Sequence, residues 1–296
     1  MSKTIKKENF GRTGHESSRL IFGGAALSRA TEREADRVLD LLLEYGVNHI
    51  DTSVTYGDSE KHISRWLKRS PGEFFLATKI DARTYAEAKL ELEKSLDTLG
   101  VDRVDLLQMH ELVEDGDTDT FLGENGALRV LEEAKMKGLA EYVGVTSHGF
   151  NAPRVLSRCL MNYPFDSVLL PFNYLMSIHH SYRSDFDALA LACREKGTVI
   201  QTMKSVARGP WNGVPKNRTT WYRPLEEAGD IRRAVHWVMG FDGLFFTSCG
   251  DTSLLPLVLD AAASYEGRPP REEMEEMRER LGMMIPPQHT WPRLGA

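Results

Sequence analysis

Cysteine is scarce in this chain, with three in 296 residues. Cys159, Cys193 and Cys249 stand apart from one another without metal-ligand spacing, which argues against a disulfide scaffold or a thiolate metal cluster. They read as buried thiols in a reducing compartment, and a cytoplasmic location is expected. Long apolar runs are also missing. None is long enough to span a bilayer, and no charged-then-apolar leader opens at Met1, so no membrane partner is expected. Positive charge is not in excess. Lys and Arg number 37 against 43 Asp and Glu, for a formal net charge of −6 and a pI of about 5.9. That balance implies no basic face, and nucleic acid is not an expected partner. The Gly-x-Gly-x-x-Gly dinucleotide turn, the Gly-x-Ser-x-Gly elbow and the phosphate loop are all absent.

What is present is a repeating beat of strand and helix. The hydrophobic fraction of 41% and charged fraction of 27% are those of a globular enzyme. Segments Thr4–Phe10 and Ser17–Leu20 flank the turn signal Gly11-Arg12-Thr13-Gly14 and predict a small hairpin. Short apolar strands are then expected at 20–22, 47–50, 74–78, 104–109, 142–145, 167–170, 198–201 and 244–247. Helices are expected between them, two opened by the capping boxes Thr31/Glu34 and Thr84/Glu87. Asn151 is expected to cap another. Eight such units predict an α/β fold, a (β/α)8 TIM barrel with an N-terminal β-hairpin, and the length suits a fold that takes ~250 residues. A doubly wound open sheet is the rival, weakened by the missing dinucleotide turn. The whole of 1–296 reads as one domain, with a core of about 18–265. A C-terminal helical extension follows at 266–296, a helix over Arg271–Arg280 and loop over Pro286–Pro292.

In such a barrel the active site lies at the carboxyl ends of the strands. Asp51, Lys79 and His110 each end a predicted strand, and Tyr56 stands five residues past Asp51. A carboxylate, an ammonium, an imidazole and a phenol would share one pocket. That set can transfer a proton to a carbonyl. Each residue alone reads first as a cap, a surface lysine or a polar strand end; the four together do not.

These residues carry a resemblance. Gly46-Val47-Asn48-His49-Ile50-Asp51-Thr52-Ser53 with Tyr56-Gly57 and Ser59-Glu60 resembles the aldo-keto reductase family. So do Ala77-Thr78-Lys79, then Ser95-Leu96 through Leu99-Gly100-Val101-Asp102, and Asp105 through His110. Gly138-Leu139 and Gly144-Val145-Thr146-Ser147 look like the family's fifth strand and its approach. The resemblance runs from about Asn9 to Ala263. It implies a barrel that binds a nicotinamide dinucleotide, NADP by common preference with NAD left open, and acts on a small-molecule carbonyl substrate. Tyr56 would be the general acid, His110 would orient the carbonyl oxygen, Lys79 would assist Tyr56, and Asp51 would pair with Lys79. A nearby ammonium lowers a phenol's pKa, so Lys79 is expected to make Tyr56 a readier acid.

By the same resemblance, cofactor contacts are expected at Gly24, Asp51, Thr146, Ser147, Asn173, Met203, Lys204, Gly250 and Thr252. Several depart from the family pattern. Ser-Asn is replaced by Thr146-Ser147, and Leu169 stands where a Gln is usual, although Asn173 follows. Met203 replaces an aromatic ring and reads equally as core filler. Thr252 stands where an Arg would grip a 2′-phosphate, and Asp251 beside it is negative. Gly250 and the helix starting near Ser253 can still hold phosphate through backbone N–H groups.

Other features are weaker. His179-His180 reads as a solvated loop. His110-Glu111-Leu112-Val113-Glu114 starts like a zincin helix but lacks the second histidine, so no metal is expected. Trp211, Trp221 and Tyr222 in a long loop read equally as an aromatic lid or a satellite core. Two function classes remain: a reductase of aldehydes or ketones, and a nicotinamide-binding regulatory or interaction subunit with little turnover. A barrel hydrolase would need a metal or paired carboxylates, neither clearly present. Oligomeric state is not readable.

Overall fold

A computed structural model describes residues 3–285. The predicted tail at 286–292 lies outside the described residues. The chain opens with a hairpin, β1 (Lys7–Asn9) against β2 (Glu16–Ser18), antiparallel, as the turn signal predicts. The barrel strands are β3 (Leu20–Gly23), β4 (His49–Asp51), β5 (Phe75–Ile80), β6 (Val104–Leu112), β7 (Ala140–Ser147), β8 (Ser167–Pro171), β9 (Val199–Met203) and, after a second small hairpin of β10 (Ala207–Gly209) and β11 (Arg223–Pro224), β12 (Leu244–Thr247). They close in the order β12-β3-β4-β5-β6-β7-β8-β9, every neighbour parallel. This is the expected (β/α)8 barrel with its N-terminal hairpin.

The period of two sorts each strand's side chains. Ile50, Leu76, Leu107 and Met109 point outward and join the large core between strands and helices. Phe75, Ala77 and Leu106 point inward, with Ile21, Val199 and Phe245. Phe10, from the hairpin's turn, plugs the amino end of the barrel, with its ring centroid 5.0 Å from Phe245 and 5.6 Å from Phe75. Above this apolar floor the same inward positions continue as Asp51, Lys79, Gln108 and His110. Alternation alone therefore delivers the polar residues to one end of the barrel interior.

Helix Glu32–Glu44 starts with a complete capping box between Thr31 and Glu34, as predicted. The second predicted box does not form. The Thr84 hydroxyl instead donates to the Glu87 carboxylate at 2.6 Å and caps no backbone N–H. Asn151 likewise makes no side-chain cap. Two short helices, Asp115–Leu122 and Tyr174–Ile178, were not expected; His180 begins the next helix rather than lying in a loop. Strand limits also move. Lys79 and His110 lie within β5 and β6, not past their ends. The terminal helix spans Arg271–Leu281.

Ser59, Glu60 and Ser95 serve packing. Buried Glu60, at the start of helix Ser59–Arg69, accepts from Thr78 Oγ1 at 2.8 Å and Ser95 Oγ at 2.5 Å. It thereby ties that helix to β5 and to helix Tyr85–Leu99. Gly57 fixes the loop that carries Tyr56. Its φ is +53°, and an added Cβ would lie 2.4 Å from the Ser28 carbonyl oxygen. Gly57→Ala should therefore destabilise the fold by ~1–3 kcal/mol. The check is a urea midpoint; an unchanged midpoint would show that the loop yields freely.

Candidate active site

Asp51 and Lys79 face each other inside the barrel. Lys79 Nζ donates to Asp51 Oδ2 at 2.6 Å and to the Thr52 carbonyl at 2.8 Å. Lys79 is 1% exposed and Asp51 3%. Burial pulls the Lys79 ammonium below its ordinary value, and the Asp51 charge opposes that pull. Gln108 Nε2 donates to the second Asp51 oxygen at 2.7 Å, and Gln201 Nε2 donates to Gln108 Oε1 at 3.2 Å. A buried chain of four polar side chains therefore crosses the barrel. Both glutamines escaped the sequence reading. Gln108 shares the period-two face of His110, and Gln201 sits on the matching face of β9, which is the signal that would have found them.

Tyr56 and His110 form the next layer. Tyr56 Oη lies 3.4 Å from His110 Nε2, and the rings meet edge to face at 5.6 Å. Lys79 Nζ sits 5.0 Å from the Tyr56 ring centroid, with its hydrogen bonds going to Asp51 and Thr52. Burial pushes the Tyr56 phenol well above its ordinary value, and Asp51, Glu111 and Asp81 push it further. Whatever lowering Lys79 supplies is outweighed here. The Asp51 charge offsets part of the ammonium's field, so desolvation and the carboxylates set the net direction.

A cleft opens above these groups. Gly23, Ala25, Asp51, Tyr56, His148, Leu169, Met203, Lys204, Trp221, Tyr222, Thr247, Ser248 and Gly250 line it. Of the expected cofactor contacts, Asp51, Met203, Lys204 and Gly250 are here. Gly23 takes the place foreseen for Gly24, whose added Cβ would meet Ser59 Oγ at 2.8 Å and Thr52 Oγ1 at 2.9 Å instead. The structure does not bring the rest to the cleft. Thr146 Oγ1 accepts from Glu111 N at 2.7 Å, and Ser147 Oγ donates to the Leu112 carbonyl at 2.5 Å. The Asn173 amide caps helix Tyr174–Ile178 through Met176 N at 3.1 Å and donates to the Lys204 carbonyl at 3.1 Å. Thr252 is absent from the lining. His148, which the sequence reading passed over, lines the cleft and places Nδ1 3.2 Å from Lys204 Nζ. Lys204 has φ +65°, and burial pulls its ammonium down to about 7, with Glu111 opposing.

The long aromatic loop folds onto the turn after β12. Thr219 N donates to Asp251 Oδ2 at 2.9 Å, and Thr219 Oγ1 donates to the Gly250 carbonyl at 2.7 Å. Against the pull of burial, bonds from Ser253 and Thr219 hold the Asp251 carboxyl below the usual range. Arg218 Nη1 donates to Ser253 Oγ at 2.7 Å and Arg218 Nε to Glu226 at 2.5 Å. A guanidinium thus stands over this turn, supplied by the loop and not by the turn itself. Trp221 and Tyr222 wall the cleft, whereas Trp211 bonds within the loop, Nε1 to the Thr220 carbonyl at 3.1 Å. The loop is both wall and local packing. A larger groove outside the barrel, lined by Arg183, Trp237, Arg268 and Arg271, holds none of the strand-end groups.

Comparison with known proteins agrees with the fold. The model of the aldo/keto reductase family matches residues 19–213. The aldo-keto reductase str7 of Strobilurus tenacellus is 27% identical over 214 residues, 69% of this chain and 58% of that protein. Pyridoxine 4-dehydrogenase of Escherichia coli is 28% identical over 160 residues, 49% of this chain and 55% of that protein. The matches thus span little more than half the length of these relatives. Among solved structures, an aldo-keto reductase from Klebsiella pneumoniae in complex with NADPH superposes with a TM-score of 0.68 at 17% identity, covering 98% of this chain and 99% of that one. The holo form of aldo-keto reductase AKR11C1 from Bacillus halodurans gives 0.65 at 20% identity, covering 94% and 96%. These two likenesses speak for the fold alone. With a family match over most of its barrel strands, the chain belongs to the aldo/keto reductase family.

Proposed function

We propose that this protein is an NAD(P)H-dependent oxidoreductase that reduces aldehyde or ketone carbonyls of small molecules. The observation that carries the reading is the inward stack of Asp51–Lys79 beneath Tyr56, with His110 at 3.4 Å from the phenol. Its extent as one domain, 1–296, belongs to the same proposal, as does a reducing compartment for the three buried free thiols. Among the described residues no helix is long and apolar enough to cross a membrane.

The cleft suits an extended nicotinamide dinucleotide. Gly23 and Gly250 leave backbone at its border, and an added Cβ at Gly250 would meet Trp221 at 3.5 Å. Met203 offers an apolar face and Lys204 a buried amine on the same wall. The cofactor, when bound, supplies the hydride. The chain's own groups do the rest. Tyr56 gives its proton to the carbonyl oxygen. His110 Nε2 lies where it can hold that oxygen, and its contact with Tyr56 is long, as such contacts often are before substrate binds. Asp51 and Gln108 fix Lys79 under the Tyr56 ring, where its charge favours the phenolate left behind.

Arg218 is proposed to hold the 2′-phosphate that Thr252 cannot. Asp251, saturated by Thr219 and Ser253, then opposes that phosphate less than its charge alone suggests. Arg218→Ala should weaken NADPH about tenfold, ~1.4 kcal/mol, and leave NADH within about twofold. Fluorescence titration of both cofactors decides it, and equal losses for the two would remove Arg218 from this role.

The raised Tyr56 phenol, with Lys79 bonded to Asp51 and Thr52, favours a second reading: a nicotinamide-binding regulatory or interaction subunit with little turnover. Cofactor oxidation followed with a panel of aldehydes, ketones and quinones separates the two. Turnover of any carbonyl supports the reductase, and cofactor binding with none supports the subunit.

A further inference from the structure

Strand β6 breaks register with β7 between Met109 and Leu112, and Glu111 inside the break has φ +54°. In a regular strand His110 and Glu111 would point to opposite faces. A bulge with one residue in the left-handed region re-aims a side chain, and here it turns both residues to one side. The bulge is held from two directions. Glu111 N donates to Thr146 Oγ1 at 2.7 Å, and the Glu111 carbonyl accepts from Arg83 Nη2 at 2.7 Å. Asp81, one residue past β5, brings a second carboxylate to the same point. One donor atom from each of Asp81, His110 and Glu111 lies within 4.8 Å of the other two.

His110 Nδ1 is the telling atom. It is buried and makes no hydrogen bond among the described residues, although Asp81 Oδ1 is only 3.3 Å away. That separation is the edge of a tetrahedron around an ion with bonds of ~2.0–2.1 Å. An imidazole nitrogen and two carboxylates are a donor set of the zinc type, and three protein donors leave a fourth position open. Arg83 does not fill the place. Its guanidinium donates to the backbone carbonyls of Asp81 and Glu111, lies 3.5 Å from Asp117, and reaches Asp81 Oδ1 only at 3.8 Å. Two carboxylates, those of Asp81 and Asp117, stand by that one guanidinium.

We propose that Asp81, His110 and Glu111 form a binding site for a divalent transition-metal ion of the zinc class. A zincin would supply a second histidine four residues along a helix; here a further donor comes from the neighbouring strand's end. A consequence follows that rests on the proposed reductase function. An ion on Nδ1 leaves the ring proton on Nε2, the nitrogen facing Tyr56. That is the tautomer able to donate to a carbonyl oxygen, whereas Asp81 by itself favours the proton on Nδ1. The ion would thus select the donor form of His110.

The test is titration of the purified, chelator-stripped full chain with Co2+, read by visible absorption, then displacement by Zn2+. One Co2+ per chain with intense tetrahedral bands, bleached by Zn2+, is expected. Asp81→Asn and Glu111→Gln should each weaken Co2+ at least tenfold, with far-UV circular dichroism unchanged. Asp58→Asn, an exposed carboxylate elsewhere, should not. Absence of the bands, or bands that survive both amide substitutions in folded protein, overturns the site. No turnover enters this measurement, so the site can fail while carbonyl reduction stands, and the reverse.

Discussion

Tyr56→Phe should lower carbonyl reduction by ~10²-fold or more, the usual worth of a positioned general acid. NADPH affinity should stay within about threefold. The substitution keeps the ring, and the ring is what packs here. Lys79 Nζ lies 5.0 Å from its centroid and His110 meets it edge to face at 5.6 Å. Phe preserves both contacts. It removes only the hydroxyl, which faces His110 Nε2 at 3.4 Å. Deleting a buried hydroxyl with so long a bond costs the fold little, ~1 kcal/mol or less. A loss of rate without a loss of midpoint in urea therefore isolates the proton. Steady-state rates on a reducible aldehyde, set beside cofactor titration, make the measurement. Turnover within about threefold of the unaltered protein would show that another group delivers the proton. His110 would be the first suspect, because it is the nearest titratable neighbour.

The barrel and its polar layer were legible because both rest on local pattern. Alternation along His49-Ile50-Asp51, Phe75 to Lys79 and Leu106 to His110 predicts which residues share a face, and the structure keeps that order. Strand ends were less legible, since an inward lysine can sit within a strand as easily as past it. What depended on distant contacts could not be read. Arg218 and Ser253 are 35 residues apart and meet only because the aromatic loop closes onto the turn after β12. Thr146 and Ser147 stand at the positions of a family Ser-Asn pair, yet their hydroxyls are drawn to the bulge at Glu111 and Leu112, which no residue pattern announces. The Thr84 hydroxyl donates to the Glu87 carboxylate but accepts from no backbone N–H, whereas the Thr31 hydroxyl does both. Thr84 also bridges to Gly126, distant in sequence, a contact no local pattern shows. The expected tuning of Tyr56 by Lys79 is outweighed by burial and by Asp51, whose opposite charge sits 2.6 Å from the ammonium.

Lys79→Met should cripple both stability and reduction, and a companion variant separates the two effects. Lys79 and Asp51 are almost wholly buried, so removing the ammonium leaves a carboxylate in low dielectric. Breaking such a pair from one side typically costs ~3–5 kcal/mol. Gln108 still donates to Asp51 at 2.7 Å, which places the expected loss at the lower end, ~3 kcal/mol. The uncompensated Asp51 would have its pKa raised in the folded state. Such a group binds its proton more tightly folded than unfolded. The deficit should therefore shrink as pH falls through that raised value and reach its full size above it. Asp51→Asn combined with Lys79→Met removes both charges and leaves a neutral amide where the carboxylate was. The double variant should regain at least half of the lost stability, and its stability should lose the added pH dependence. Reduction should not return with it. In the double variant no cation remains under the Tyr56 ring to favour the phenolate, so the rate should stay depressed ~10²-fold or more. Urea midpoints across pH and aldehyde reduction by the same three preparations give both readouts. If the double variant recovers stability and activity together, Lys79 serves only to neutralise Asp51, and the proton chemistry at Tyr56 does not draw on its charge.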